Sequence, residues 1–299
     1  MQTLKCFLLL LFVMIAVAGF SQKKGHADST TFKIQIDYLN NYIYNGRADS
    51  LPYPYQITTA TVNFANGLYV SFSADYLLAQ NEQRFDFSEL DLGYSYSIGE
   101  NLSGEIYGSK YFYNSQAALL NGNISTDLGA SVNYDLGFIQ FNNTFDVFFS
   151  NKSDFQWTTG FEKSLSFSDK KGEWNITPSL YANISSINFY ESEVTRKVGI
   201  KNAKGKIPPN TGILSTTKVN DLGTKLMAIE LGLPISYELE HFGFSFSPVF
   251  AMPFNKVTTT TTNINSTTNA LINTVNSTPY SELNLANRFY FQAGIYYKF

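Results

Sequence analysis

The sequence predicts an all-β protein, a transmembrane antiparallel up-and-down β-barrel of about 12 strands, and three observations carry that prediction. Apolar or aromatic residues recur at every second position in segments of roughly ten residues, the period of a strand with two unlike faces. Charged side chains make up 15% of the 299 residues, against about 25% in soluble domains, while aromatic residues reach 16% with 20 Tyr and 26 Phe. The connections alternate in length, short after even-numbered segments and mostly longer after odd ones, as the two sides of a membrane barrel require. The same composition excludes a disordered chain, which would be rich in charge and poor in aromatics. It also excludes a helical membrane protein, which needs runs of about 20 apolar residues.

Residues 1–21 read as a secretory signal peptide, with one positive charge at Lys5, an apolar stretch from Phe7 to Ala18, and small Gly19 and Ser21 before Gln22. A single membrane anchor is the other reading, but the stretch is short for a span and Gln22, Lys23 and Lys24 follow at once. Cys6 is the only cysteine and falls in this leader, so the mature chain has no disulfide, thiol nucleophile or cysteine metal site. Its slight negative balance gives no reason to expect nucleic-acid binding. Residues 22–30 form a tail expected on the periplasmic side, and 31–299 form the barrel.

The alternating segments fall near 31–45, 55–65, 68–78, 86–98, 102–113, 124–134, 138–150, 154–167, 174–189, 225–239, 243–254 and 284–299. The last is the clearest: Phe289, Phe291, Ala293, Ile295, Tyr297 and Phe299 share one face, and Arg288, Tyr290, Gln292, Gly294, Tyr296 and Lys298 the other. Short turns are read at Ala65 to Gly67, Gly99 to Asn101, Asp135 to Gly137, Ser168 to Glu173 and Glu240 to Phe242, where Asn, Asp and Gly tolerate positive φ. Two connections are long, near 190–224 and 255–283, and both are expected outside the cell. A soluble β-sandwich would show the same alternation. Against it stand the low charge, the length of the strands and aromatics toward strand ends, at Tyr42, Tyr44, Phe149, Phe155, Trp157 and Trp174, the places of an interfacial girdle.

Phe291, Ala293, Ile295, Tyr297 and Phe299 together resemble the C-terminal assembly signal of Gram-negative outer-membrane barrels, which ends on an aromatic residue after alternating apolar positions. That resemblance implies recognition by the barrel-assembly machinery and insertion into outer-membrane lipid. The stretch from Asn40 to Arg47, with the Pro-rich loop after it, is similar to the first strand of small exported, porin-like barrels of unassigned function. Barrel phospholipases and proteases resemble one another in placing a histidine at a catalytic rim. The two histidines here, His26 in the tail and His241 in a turn on the periplasmic side, have no serine or carboxylate constellation beside them. The sequence therefore predicts no enzyme, and its motifs indicate no cofactor or metal site.

The inward face is the candidate site. Opposite the lipid parity stand Asp37, Asp75, Glu89, Asp91, Glu105, Asp127, Asp146, Glu162 and Glu230, with Arg288, and with Lys33 and Lys298 near the periplasmic end. Carboxylates around a water-filled pore concentrate cations and repel anions, so the expected function is passive passage of small polar or cationic solutes through an acidic lumen. Two alternatives stay open. The carboxylates could satisfy one another and Tyr107, Tyr181, Tyr290 and Tyr296 in a narrow interior, or the barrel could be a closed scaffold meeting a partner through its long loops. The basic segment 190–224 reads either as a cover over the acidic mouth or as a solvated surface loop. The Thr/Asn-rich segment 255–283 reads as an exposed loop or an extra hairpin. Lys110 and Lys163 fall on the lipid parity and mark an interface or a bulge.

Overall fold

A computed structural model describes residues 29–48, 52–79, 82–114, 117, 124–150, 153–186, 213–220, 223–256, 258–265, 271–277 and 285–299. Residues 1–28, which include the expected leader and His26, and most of the basic segment 190–224 lie outside the described residues. Spanning strands pair in chain order, each antiparallel to its neighbours: β1 (Thr31–Leu39), β2 (Tyr55–Asn63), β3 (Leu68–Ala79), β4 (Glu82–Ile98), β5 (Leu102–Tyr113), β6 (Thr126–Asp135), β7 (Gln140–Phe149), β8 (Asp154–Glu162, continued by Leu165–Ser168), β9 (Glu173–Ile176 and Ser179–Ser185), β10 (Lys225–Gly232 and Ile235–Glu238), β11 (Phe242–Pro253) and β12 (Arg288–Lys298). β12 returns to β1, with Ile36 opposite Ile295 and Leu39 opposite Gln292, and the barrel closes.

The first strand begins and the last ends at one end of the barrel, the terminal end. Its turns are tight, and Gly67, Gly99 and Gly137 supply the positive φ they need. In the 169–172 turn, Asp169 accepts from the N–H groups of Lys171 at 2.7 Å and Gly172 at 2.9 Å, which hold its carboxyl below the usual carboxylate range. The interruptions of β8, β9 and β10 lie side by side. Pro178 and Pro234 have no N–H for the ladder, and the Lys163 and Thr177 amides bridge the gap by donating to their carbonyls.

The polarity of the sheet is inverted relative to a protein folded in water. One row across β2 to β6 places Thr61, Ser71, Asp91, Ser109 and Asp127 opposite one another. Ser71, Ser109 and Asp127 in that row are buried, while Phe72, Leu90, Leu92 and Leu128 on the alternate positions are exposed. The same exposed band continues through Val132, Phe145, Leu180, Leu231, Phe244 and Ile295. A β-sandwich buries its apolar faces, and an apolar belt this extensive is stable only against lipid.

Inside, tyrosines strap strands together over glycines. Successive strands β3 to β7 place Tyr69, Gly93, Tyr107, Gly129 and Asp146 in one row. The Tyr69 hydroxyl crosses Gly93 to donate to Glu105 at 3.2 Å, and the Tyr107 hydroxyl crosses Gly129 to donate to Asp146. Tyr296 likewise lies over Gly243 and donates to Glu238 at 2.6 Å. A Cβ on Gly129 or Gly243 would fall within the tyrosine ring lying above it.

The strands differ from the sequence expectation at several places. β1 ends at Leu39 rather than 45, because residues 40–48 leave the wall. β4 begins at 82 and carries a bulge: Asp75 pairs with Phe87 and Tyr76 with Phe85, so Asp86 is the extra residue. β9 ends at Ser185, and β12 starts at Arg288. The two long connections are partly ordered as a separate sheet of Ile213–Asn220, Thr258–Asn265 and Leu271–Ser277, so the second contains a hairpin. Lys110 and Lys163 both sit near the ends of the barrel, where Lys110 donates to Thr126 and Lys163 to the Gly137 carbonyl of a terminal-end turn.

Gly129→Ala is expected to displace Tyr107 from Asp146 and cost about 1–3 kcal/mol, read as a lower temperature at which the folded, fast-migrating barrel band is lost on unheated gels. Gly99→Ala, whose Cβ would meet nothing within 4 Å but whose φ is +67°, is the comparison for backbone strain alone.

Candidate functional site

The segment after β1 turns into the barrel instead of running outward. Asn45 and Gly46 have φ of 50° and 73°, the pair of positive values that a two-residue hairpin turn needs, and Ile43–Tyr44 pairs with Arg47–Ala48 around them. Asn45, Gly46, Arg47 and Ala48 are all buried. The hairpin crosses the lumen from the β1–β2 side to β10 and β11, where a Cβ on Gly46 would touch Ala228 and Pro253.

Arg47 clasps it there. Nη1 donates to the carbonyls of Asn45 at 2.7 Å and Met227 at 3.1 Å, and Nη2 donates to the carbonyls of Phe254 and of Asn255 at 2.9 Å. The Met227 carbonyl already accepts from the Phe254 N–H at 2.8 Å, and Arg47 meets its second lone pair, while the carbonyls of Phe254 and Asn255, just past β11, give the buried guanidinium further acceptors. The root of the hairpin is held by an apolar cluster of Tyr55, Leu77 and Phe87, against which Tyr42 and Tyr53 pack. Tyr55 reaches past the cluster to donate to Asp86 Oδ2 at 2.5 Å, and Arg84 Nε pairs with Asp86 Oδ1 at 2.8 Å.

Beneath and beside the hairpin lies a cavity of about 500 Å³ within the loop-end half of the lumen. Its acidic wall is Asp75, Glu89, Asp91, Asp127 and Asp146, and among the described residues no lysine, arginine or histidine lines it. Its aromatic wall includes Tyr42 and Tyr44 from the inturned segment and Phe87, Tyr111, Tyr113 and Phe148 from the strands. Tyr44 meets Phe148 edge-on at 6.5 Å, and Tyr111 stacks on Tyr113 at 6.1 Å.

The other inward candidates are distributed along the lumen. Asp37 is 3% exposed and accepts from Gln35 at 2.9 and 2.8 Å. Glu105 is met by Tyr69, and Glu162 accepts from Tyr181 at 2.6 Å. Glu230, Ala251 and Arg288 stand in one row, with Tyr181 opposite Glu230 on the other side. At the terminal end Lys33 stands opposite Lys298, and both ammonium groups lie over the Tyr296 ring, at 5.4 and 5.2 Å. Lys298 also pairs with Glu238 at 3.1 Å. His241 is exposed in its turn and stacks beside Tyr297.

Tyr42 and Tyr44 are thus not girdle residues, because the Asn45–Gly46 turn carries them into the lumen; Phe149, Phe155 and Trp174 are on the exposed surface. The candidates taken from parity did not include Arg47, Tyr55, Arg84, Asp86 or Asp154. Asp86 was hidden by the bulge, which breaks the alternation. Asp154, 2% exposed and accepting from Ser186 at 2.6 Å, shares the parity of Glu162 and was available to the same rule. The signal for Arg47 was Asn45–Gly46 itself, the same hairpin chemistry that marks the terminal-end turns.

No known protein family matches the sequence, and no curated protein matches it. Among solved structures the chain is similar to CdiB from Acinetobacter baumannii, at 8% identity and TM-score 0.33, covering 91% of this chain and 60% of that one. It is similar to the outer-membrane protease OmpT from Escherichia coli, at 8% identity and TM-score 0.32, covering 93% and 99%, and to a porin, at 10% and 0.31, covering 91% and 99%. Closed, apolar outside and polar within, the molecule has the architecture of a membrane-spanning β-barrel.

Arg47→Gln is expected to free the hairpin without opening the barrel. Losing charge-assisted bonds worth about 3 kcal/mol together speeds local opening roughly a hundredfold. Hydrogen exchange should therefore accelerate across residues 43–48 and stay unchanged in β5 to β7; unchanged exchange at the hairpin would show that Arg47 does not hold it.

Proposed function

We propose that this barrel is a passive channel for small polar or cationic solutes in the Gram-negative outer membrane. The observation that carries the proposal is the loop-end cavity, which among the described residues has five carboxylates in its lining and no basic residue. In a narrow passage with low-dielectric walls such a lining raises the local cation concentration and repels anions. Asp37, Glu105, Glu162, Glu230 and Arg288 line the rest of the proposed path. Residues 1–21 direct export, and Phe291, Ala293, Ile295, Tyr297 and Phe299 engage the barrel-assembly machinery. The hairpin of residues 43–48 is the constriction of this channel. It is also the one observation favouring a second reading, a closed barrel that meets a partner through its loop-end sheet.

Single-channel recording of the refolded barrel under a salt gradient separates the two. Steady conductance with cation preference is expected, and the double variant Glu89→Gln/Asp91→Asn should move the cation-to-anion permeability ratio toward unity. Anion preference would overturn the acidic path. Absence of conductance from a folded, heat-modifiable barrel would leave the closed scaffold.

A further inference from the structure

We infer that the loop-end cavity is a binding site for a small organic ammonium ion, an amine of single positive charge on an apolar body. This rests on the lumen reading above and narrows it from cations at large to one chemical class.

The size is suitable, since about 500 Å³ lies within the range of small-molecule sites. The lining has two halves of different chemistry. Tyr42, Tyr44, Phe87, Tyr111, Tyr113 and Phe148 bring aromatic rings together around one part of the cavity, while the carboxylates stand on neighbouring positions of the same strands. Rings gathered this way attract a cation through their faces when it lies within about 6 Å of a centroid, and they also accept apolar surface. A hydrated inorganic ion uses neither property. Among the described residues no three acidic, cysteine or histidine side chains converge closely enough to hold a metal ion.

Asp127 supplies an independent observation. It is 5% exposed, lines the cavity, and its Oδ1 has no hydrogen-bond partner among the described residues. Its neighbours differ: Asp146 is met by the Tyr107 hydroxyl, and Asp75 by Ser73 at 3.1 Å. A buried carboxylate oxygen without a donor is costly, and an ammonium N–H or a cationic methyl group in the cavity removes that cost. Asp127 stands directly opposite Phe148, which touches Tyr44, so the counter-ion and the aromatic wall are adjacent. Two rings, Tyr42 and Tyr44, come from the inturned segment, so the site is complete only with the hairpin docked.

The test is calorimetric titration of the folded barrel in detergent micelles with 2-phenylethylammonium chloride, with neutral 2-phenylethanol and potassium chloride as comparisons. Saturable one-site binding of the ammonium compound is expected, at least about tenfold tighter than the alcohol. Asp127→Asn should weaken it about tenfold or more, and Tyr44→Leu, outside the barrel wall, should weaken it while leaving the fold intact. Glu173→Gln, on the exposed terminal extension, should bind as the wild type does. Equal affinity for the alcohol, or undiminished affinity in Asp127→Asn and Tyr44→Leu, would overturn the site. Currents recorded on the same preparation separate this inference from the channel reading. Conductance without saturable binding removes the site and keeps the channel; saturable binding without conductance keeps the site inside a closed barrel.

Discussion

A bilayer offers no partner to an unpaired strand edge, so every spanning N–H and C=O must be met within the protein. Pairing of β12 with β1 and β11 satisfies that requirement here. Once the ladder is closed, the two-residue period of each strand divides its side chains between lipid and lumen with no third choice. The apolar set, from Ile34 on β1 to Ile295 on β12, is therefore exposed, and the polar set is enclosed. The last strand matters twice in this arrangement. Its outward aromatics meet neighbours on both sides, Phe291 with Tyr38 and Phe246, and Phe299 with Phe32, so the seam is packed as well as hydrogen-bonded.

Closure also fixes how much has to be fitted inside. Twelve strands make an interior between the small barrels that side chains fill and the wide porins that hold a water channel. Tyrosine over glycine is one answer: the ring occupies lumen volume, while its hydroxyl reaches a carboxylate or carbonyl one or two strands away. This sorts the inward acids into two populations. Glu105, Asp146, Glu162 and Glu238 each accept a tyrosine hydroxyl and are part of the wall's bracing. Among the described residues Asp127 has an oxygen without a donor, in the cavity beside the hairpin. Tyrosine bracing and a cavity thus coexist in one lumen.

What was legible in the sequence follows from which signals are periodic. Strand existence, face and the short-turn parity depend on repeats of two residues and on Asn, Asp and Gly at turns, and both survive without any knowledge of neighbours. Asp37, Asp75 and Asp127 are enclosed because alternation alone places them there. The bulge at Asp86 is a single-residue event with no periodic trace, and it turned Asp86 and Phe87 inward together. The hairpin was legible locally and misread globally. Tyr42 and Tyr44 continue the alternation of β1, which predicts a strand to 45, while Asn45–Gly46 reverses the chain. What sends the reversed chain inward is Arg47 reaching Met227, Phe254 and Asn255, contacts separated by at least 180 residues in sequence. No local pattern encodes them.

The resulting lumen is graded along its axis rather than uniform. From the loop end inward stand the inturned aromatic segment and the carboxylates of β3 to β7, then a collar at the terminal end where Lys33 and Lys298 face each other. Left alone, that pair of like charges directly opposite each other would be destabilising. It is instead drawn onto the Tyr296 ring, with Lys298 held by Glu238, whose second partner is the Tyr296 hydroxyl. The collar's positive charge is thereby partly neutralised at its source. The tyrosine that makes this possible needs Gly243 beneath it, since any side chain there would displace the ring. The same tyrosine–glycine device that braces the wall near Asp146 thus also sets the charge at the opposite mouth, and structural and electrostatic demands on the lumen are met by the same residues.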